Sequence, residues 1–139
     1  MSQTTDTSQA ATERRVARFG PFKDFIASGV RHGDTITVSG QLGTDAEGAV
    51  VEGGLAAQTR QAYANVAEVL GRLGATMADV IDETWYVTDI GATMGEIGPV
   101  FGARAEAYGE SPDVTQTMVE VSGLVMPEAL VEITCVARV

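Results

Sequence analysis

Between residues 55 and 73 the apolar side chains Leu55, Ala62, Val66, Val69, Leu70 and Leu73 recur mainly at steps of three and four, while Arg60, Glu68 and Arg72 take the other side. That spacing predicts a helix apolar along one stripe, stopped by Gly74. A second pattern of the same kind follows at Met94, Ile97, Phe101, Ala105 and Tyr108. Gly98-Pro99 sits inside it, which is compatible either with a helix starting near Gly98 or with a kink there. Two helices with one apolar stripe each need a sheet, or each other, to bury it against.

Strand signals surround them. Residues 22–30 alternate loosely and lead through Arg31-His32-Gly33-Asp34 into Thr35-Ile36-Thr37-Val38-Ser39-Gly40, a β-branched run of period two. This reads as a hairpin with His32 at its solvent-facing tip. A short strand is expected at residues 49–51, a longer one over 80–90 with Trp85-Tyr86-Val87, and two more over 114–121 and 130–136. In the strand 114–121, Val114, Gln116, Met118 and Glu120 share one face, with Thr115, Thr117, Val119 and Val121 on the other. In the last strand Glu132 lies with Leu130, Thr134 and Val136, opposite Val131, Ile133 and Cys135. Trp85 reads as a core or interface residue, and Cys135 as a small buried hydrophobe. The order β-β-(β)-α-β-α-β-β gives an α+β domain with both helices on one sheet face. No further element remains to cover the other face, so association of subunits is the expected cover.

A chain of 139 residues with 45% apolar side chains has room for one core, not two. Residues 1–17, rich in Ser, Thr, Gln and Ala, read as a flexible tail, with a single domain over 18–139. One cysteine rules out an internal disulfide, and one histidine leaves no His pair for zinc. A single cysteine fits a reducing cytoplasm, the expected location, and no apolar segment approaches membrane-spanning length. The net charge of −10, and basic residues scattered apart from Arg14, Arg15 and Arg18, disfavour nucleic acid or an anionic membrane as partner. Neither a phosphate-cradling glycine loop nor a dinucleotide fingerprint is present, so no cofactor is expected. The sharpest local oddity is Glu132, an ionisable residue inside a Val/Ile/Leu strand, and Glu120 poses the same question. A solvent-facing position is open for both.

Several blocks carry a resemblance. Gly20-Pro21-Phe22 and Val38-Ser39-Gly40-Gln41 are followed by Gln58-Thr59-Arg60-Gln61-Ala62 with Asn65-Val66 and Leu70. Then come Gly74-Ala75-Thr76-Met77-Ala78-Asp79-Val80, Val87-Thr88-Asp89-Ile90, and residues 124–133 with Pro127 and Val131-Glu132-Ile133. In this order and register, the blocks resemble the YjgF/Rid family over nearly the whole chain after the tail. The resemblance implies a mixed six-stranded sheet with two helices on one face, of the chorismate-mutase-like kind. It also implies a homotrimer with three pockets between subunits, binding a small-molecule ligand. In that family such pockets hydrolyse reactive enamines and imines, releasing ammonia. A strand arginine grips the substrate carboxylate and a glutamate on the final strand holds the attacking water.

Carried over residue by residue, the resemblance puts Glu132 at the glutamate, with Phe22, Ser39, Gly40, Thr117 and Met118 around the substrate. Gln116 falls where the family has its arginine, and Phe22 replaces a tyrosine. The family's helix asparagine falls on Gly98. Losing a buried bidentate contact costs roughly 2–5 kcal/mol of binding. Ordinary 2-imino acid deamination is therefore expected to be weak, with a different or differently oriented enamine- or imine-type substrate. Arg104, the nearest other arginine, reads as a surface helix residue. A non-catalytic ligand-sensing or protein-binding trimer and an endoribonuclease or translation inhibitor are the competing expectations.

Overall fold

Glycine and short polar clusters separate the strands, and the chain closes them into one sheet with the two long helices packed over it. The computed structural model describes residues 13–139. The strands are β1 (Arg14–Ala17), β2 (Gly29–His32), β3 (Thr35–Leu42), β4 (Val80–Val87), β5 (Thr115–Glu120) and β6 (Val131–Arg138). The helices are α1 (Gly54–Arg72), α2 (Ile90–Gly95) and α3 (Ile97–Tyr108), with a single 3-10 turn at Met77–Asp79. The sheet order is β1-β2-β3-β6-β4-β5, antiparallel throughout except for the parallel β4–β5 pair. This is the mixed six-stranded α+β architecture that the sequence implies.

The sheet starts earlier than the sequence suggests. Arg14–Ala17, expected within the tail, forms β1 and pairs with β2 from Arg14↔His32 to Ala17↔Gly29. The rest of the expected tail, residues 1–12, lies outside the described residues. In turn, much of the loosely alternating stretch 22–30 is not strand: residues 21–26 form turns, and β2 begins only at Gly29. His32 does sit exposed beside the β2–β3 turn. The expected strand at 49–51 reduces to an isolated bridge between Thr44 and Val50.

Helix α1 ends as its pattern requires. Gly74, at φ 82, lets its N–H reach Gly71 O (3.3 Å) while the Ala75 N–H reaches Leu70 O (2.9 Å). This double closure satisfies carbonyls that the last turn would leave bare. The second helical pattern resolves into two helices joined at Glu96, and Pro99 falls in the first turn of α3, where its missing N–H costs nothing.

The core lies between the sheet and the helices. Val66, Val69 and Leu70 of α1 meet Ile36 and Val38 of β3, Trp85 and Val87 of β4, and Val131, Ile133 and Cys135 of β6. Trp85 is fully buried, edge-on to Tyr63 and Phe101. Burying Cys135 pushes its thiol up to about 12, so it stays a neutral hydrophobe at ordinary pH. Along β6 burial alternates strictly, with Glu132, Thr134 and Val136 half-buried on the sheet face away from the helices.

Candidate active site

A cavity of about 730 Å³ opens where the loop 19–28, the end of β3 and residues 125–126 converge, and Glu132 lies in its wall. Phe22, Ser39 and Gly40 line it too. Local structure explains why these meet. Strand β3 changes register against β6 between Val38 and Gln41, a bulge that turns the strand end away from the regular ladder. The Ser39 hydroxyl donates to Ala27 O at 2.6 Å, tying the 19–28 loop to this bulge. From below, α1 holds the other loops. The Gln58 amide donates to Glu128 O (3.2 Å) and its carbonyl accepts the Leu130 N–H (2.8 Å), fixing the approach to Glu132. Asn65 donates to Leu42 O and Thr44 O at 3.0 and 2.9 Å. Gln58 therefore shapes the cavity from outside it, and Asn65 lines it with an amide already donated to the backbone.

Gly40 has a specific reason to lack a side chain. A Cβ there would stand 2.2 Å from Glu132 Oε2 and 2.6 Å from its Cδ. The bare glycine leaves the space that the carboxylate occupies. Burial raises the Glu132 pKa above its usual 4.5, with no hydrogen bond or neighbouring charge among the described residues to hold it down. A half-buried carboxylate without a committed partner is able to hold a water or accept a proton. Apolar side chains are exposed at one part of the rim, where Phe22 is 47% exposed with Ile26 and Val125 also uncovered, while Asp45, Glu68 and Arg72 line another.

Gln116, Thr117 and Met118 lie elsewhere. Gln116 stands opposite Glu83 on β4, which in turn stands opposite Cys135 on β6, so its side chain is on the helix side of the sheet. Met118 follows it there, packed against the core. Thr117 pairs with Thr84, itself opposite Thr134, and so shares the face of Glu132 at the far edge of the sheet. Within one chain, Gln116 and Met118 are separated from Glu132 by the sheet itself. Glu120 is exposed at the end of β5, where it accepts the Ile90 N–H at 2.9 Å.

What surrounds Gln116 is a buried polar centre that the sequence reading missed. Glu83 is fully buried, and each of its oxygens accepts two hydrogen bonds. Tyr63 and Tyr108 hydroxyls donate to Oε1 at 2.7 and 2.6 Å. Arg104 Nε and Gln116 Nε2 donate to Oε2 at 2.6 and 2.8 Å. The Trp85 indole N–H donates in turn to the Tyr63 oxygen at 3.1 Å. Arg104 is thus no surface residue: its side chain is 13% exposed and ion-paired. Burial works against its charge, but the Glu83 hydrogen bond and charge outweigh this and raise its pKa. Burial and the Glu83 charge likewise hold both tyrosines protonated. Two signals were present in the sequence: Glu83 interrupts a run of strand formers as Glu132 does, and Arg104 falls three residues after Phe101 and four before Tyr108, on the apolar stripe.

Among the described residues no group of three His, Cys, Asp or Glu side chains is placed to hold a metal, and no helix is long and apolar enough to cross a membrane.

Comparison with known proteins agrees with this architecture. The family profile described as "Endoribonuclease L-PSP" matches residues 15–139. A RutC family protein of Pyrococcus abyssi is 32% identical over 129 residues, covering 91% of this chain and 92% of that protein. A bovine 2-iminobutanoate/2-iminopropanoate deaminase is 36% identical over 81 residues, 58% of this chain and 56% of its own. A crystal structure from Mycobacterium tuberculosis, described as a member of the highly conserved YjgF/YER057c/UK114 family, superposes with a TM-score of 0.77 at 33% identity, covering 91% of this chain and all of that one. The chain belongs to the endoribonuclease L-PSP family, the YjgF/Rid group that its own sequence blocks resemble.

Proposed function

We propose that this protein hydrolyses a small enamine- or imine-type intermediate, with Glu132 holding the attacking water. The observation that carries the reading is the partly buried Glu132 carboxylate, set over bare Gly40 in a cavity of small-molecule size. In the proposed step an enamine first tautomerises to its imine. Water then adds to the C=N carbon, giving up one proton to Glu132, which passes it to the nitrogen, and the hydroxyl proton of the carbinolamine later follows to the same nitrogen. The carbinolamine collapses, the C–N bond breaks, and ammonia and a carbonyl product leave; one water is consumed. No metal, redox partner or other cofactor enters this balance. The named relatives that act on 2-imino acids support the reaction class.

The site is read as completed by a second copy, in a homotrimer. Among the described residues the sheet face bearing Glu132 lacks a covering layer, and Phe22, Ile26 and Val125 stand exposed beside the cavity. Gln116 and Glu132 are separated by the sheet in one chain, so a pocket that uses both draws them from different copies. A net charge of −10 weighs against the RNA chemistry that the family description names. Because Gln116 carries no charge, deamination of 2-imino acids is expected to be slow. The test is ammonia release from enzymatically generated 2-iminobutanoate by wild type and Gln116→Arg, alongside native mass spectrometry for the trimer. Slow wild type and faster variant fit this reading; a fast wild type contradicts the part assigned to Gln116.

The competing reading, a ligand-binding trimer without catalysis, has one observation in its favour. The Gln116 amide is already donated to Glu83 and is not free for substrate. Turnover that never exceeds the buffer rate, with ligand binding intact, would establish it.

A further inference from the structure

We propose that the β1 edge of the sheet is a docking surface for an extended acidic peptide segment, which adds as a strand beside Arg14–Ala17 while Arg14 and Arg15 receive its carboxylates. None of Arg14, Arg15 and Val16 lines the Glu132 cavity, so the surface is independent of the chemistry proposed there.

The distribution of charge carries the inference. The chain has nine Arg and Lys residues against nineteen Asp and Glu, so carboxylates are in ample supply. Arg60, Arg72, Arg104 and Arg138 are ion-paired. The five that are not, among the described residues, are Arg14, Arg15, Arg18, Lys23 and Arg31, and all five fall on β1, β2 or the loop between them. Glu13 and Asp24 are sequence neighbours of this group yet pair with none of it, and Asp34 is taken by Arg138. Residues 1–12 carry one acid, Asp6, too little to supply the missing countercharge. The arrangement is also unfavourable as it stands: Arg15 lies directly across from Arg31, and like charges at opposed strand positions repel. Arg31 is committed, its Nε and Nη1 donating to Gly33 O and Leu73 O at 2.9 Å each. Arg14 and Arg15 are exposed and make no side-chain hydrogen bond among the described residues, so both guanidinium groups are open to an anion.

The backbone says which kind of anion fits. β1 ends the sheet, with β2 on one side and, among the described residues, no strand on the other. The Gly33 N–H donates to Glu13 O at 3.4 Å. By the alternation of an antiparallel ladder, Glu13 and Arg15 then turn their backbone groups to β2, while Arg14 and Val16 turn theirs outward. Those outward N–H and C=O groups form the template that an added strand pairs with. Side chains alternate too. Arg15 lies on the helix side of the sheet with Arg31, which reaches the end of α1 at Leu73 O, and Arg14 lies on the opposite face. A strand laid along β1 thus meets a guanidinium on each face, which suits consecutive acidic residues. A nucleic acid has phosphates for the arginines but nothing that continues the ladder, and the chain's net charge of −10 repels it.

The test follows the fluorescence anisotropy of a short labelled glutamate-rich peptide against the full chain, with its lysine-for-glutamate analogue and a labelled oligouridylate as controls. Wild type is expected to bind the glutamate peptide more tightly than either control, and less tightly as salt rises. Arg14→Gln/Arg15→Gln, which alters only exposed side chains, should weaken that binding about tenfold, the scale of two exposed charge contacts. Val16→Pro removes one outward N–H without touching the ladder to β2, and should weaken binding with Tm nearly unchanged. The glutamate peptide N-methylated at either alternate set of residues tests the same point without altering the protein. Undiminished binding of both N-methylated forms, or by a folded Val16→Pro, overturns strand addition. Equal affinity for the glutamate and lysine peptides, a preference for oligouridylate, or full affinity in Arg14→Gln/Arg15→Gln overturns the acidic partner. A change of oligomer size in native mass spectrometry of Arg14→Gln/Arg15→Gln would assign the edge to contacts between copies of this chain, and overturns the proposal as well.

Discussion

Gln116 and Glu83 stand directly opposite each other on the parallel strands β5 and β4, and the Gln116 amide donates to Glu83 Oε2 at 2.8 Å. Position 116 therefore belongs to a buried polar centre as well as to a sheet edge, and any change there is felt by Glu83, Arg104 and both tyrosines.

Removing the acceptor at the middle of that centre is expected to be expensive. Glu83→Ala leaves the Arg104 guanidinium without its ion pair and four donors without an acceptor. Breaking a buried pair from one side costs about 3–5 kcal/mol. Urea melts should show that loss, and a Glu83→Met/Arg104→Met double variant should lose clearly less than the sum of its single variants.

The two tyrosines should not be equivalent. Tyr63 donates to Glu83 and accepts from the Trp85 indole, whereas Tyr108 makes only the first kind of bond. Tyr63→Phe leaves the indole N–H unpaired in a fully buried position and should cost more stability than Tyr108→Phe, each within about 1–3 kcal/mol. Thermal melts of the two single variants decide the order.

Gly40→Ala should damage the site without damaging the fold. The backbone at Gly40 is not left-handed, so alanine brings no strain, but its Cβ would displace the Glu132 carboxylate. Hydrolysis is expected to fall about tenfold to a hundredfold, as a misplacement near 1 Å does, with little change in Tm. Steady-state kinetics on the enamine substrate measure it.

The pH dependence follows from Glu132. Burial raises its folded pKa above the usual 4.5, so hydrolysis that needs the carboxylate should rise with pH through a midpoint above that value. The stability sign is opposite to that of a salt-bridged acid. Between the ordinary and the raised pKa the folded chain holds more protons than the unfolded one, so stability falls as pH rises through that window. Glu132→Gln should remove this part of the pH dependence and leave the protein slightly more stable at neutral pH. Melts across pH 4 to 8, on the scale of ordinary carboxylate titration, compare the two.

Legibility in the sequence followed periodicity. The α1 stripe and its Gly74 stop, the alternation of β6 and the separation of Gln116 from Thr117 were all readable, because each depends on side-chain direction along a single element. Strand β1 was not: Arg14–Ala17 has three exposed residues and forms only because β2 offers it an edge. Of the site, Glu132 with Phe22, Ser39 and Gly40 was brought together, whereas Gln116 and Met118 were not. Which face a strand turns to the helices depends on packing, and a family alignment carries positions without saying which copy supplies them. Glu83 and Arg104 were missed although both broke an apolar pattern. Their partners, Tyr63 and Gln116, lie 20 and 33 residues from Glu83, too far for any local rule to join them.

The most direct test of the account is ammonia release from 2-aminoacrylate, generated in place by a serine dehydratase, comparing wild type with Glu132→Gln. The account predicts slow release, still above the buffer rate, for wild type and a fall to the buffer rate for Glu132→Gln, with both proteins folded. Equal rates from the two, whether fast or no better than buffer, would contradict it.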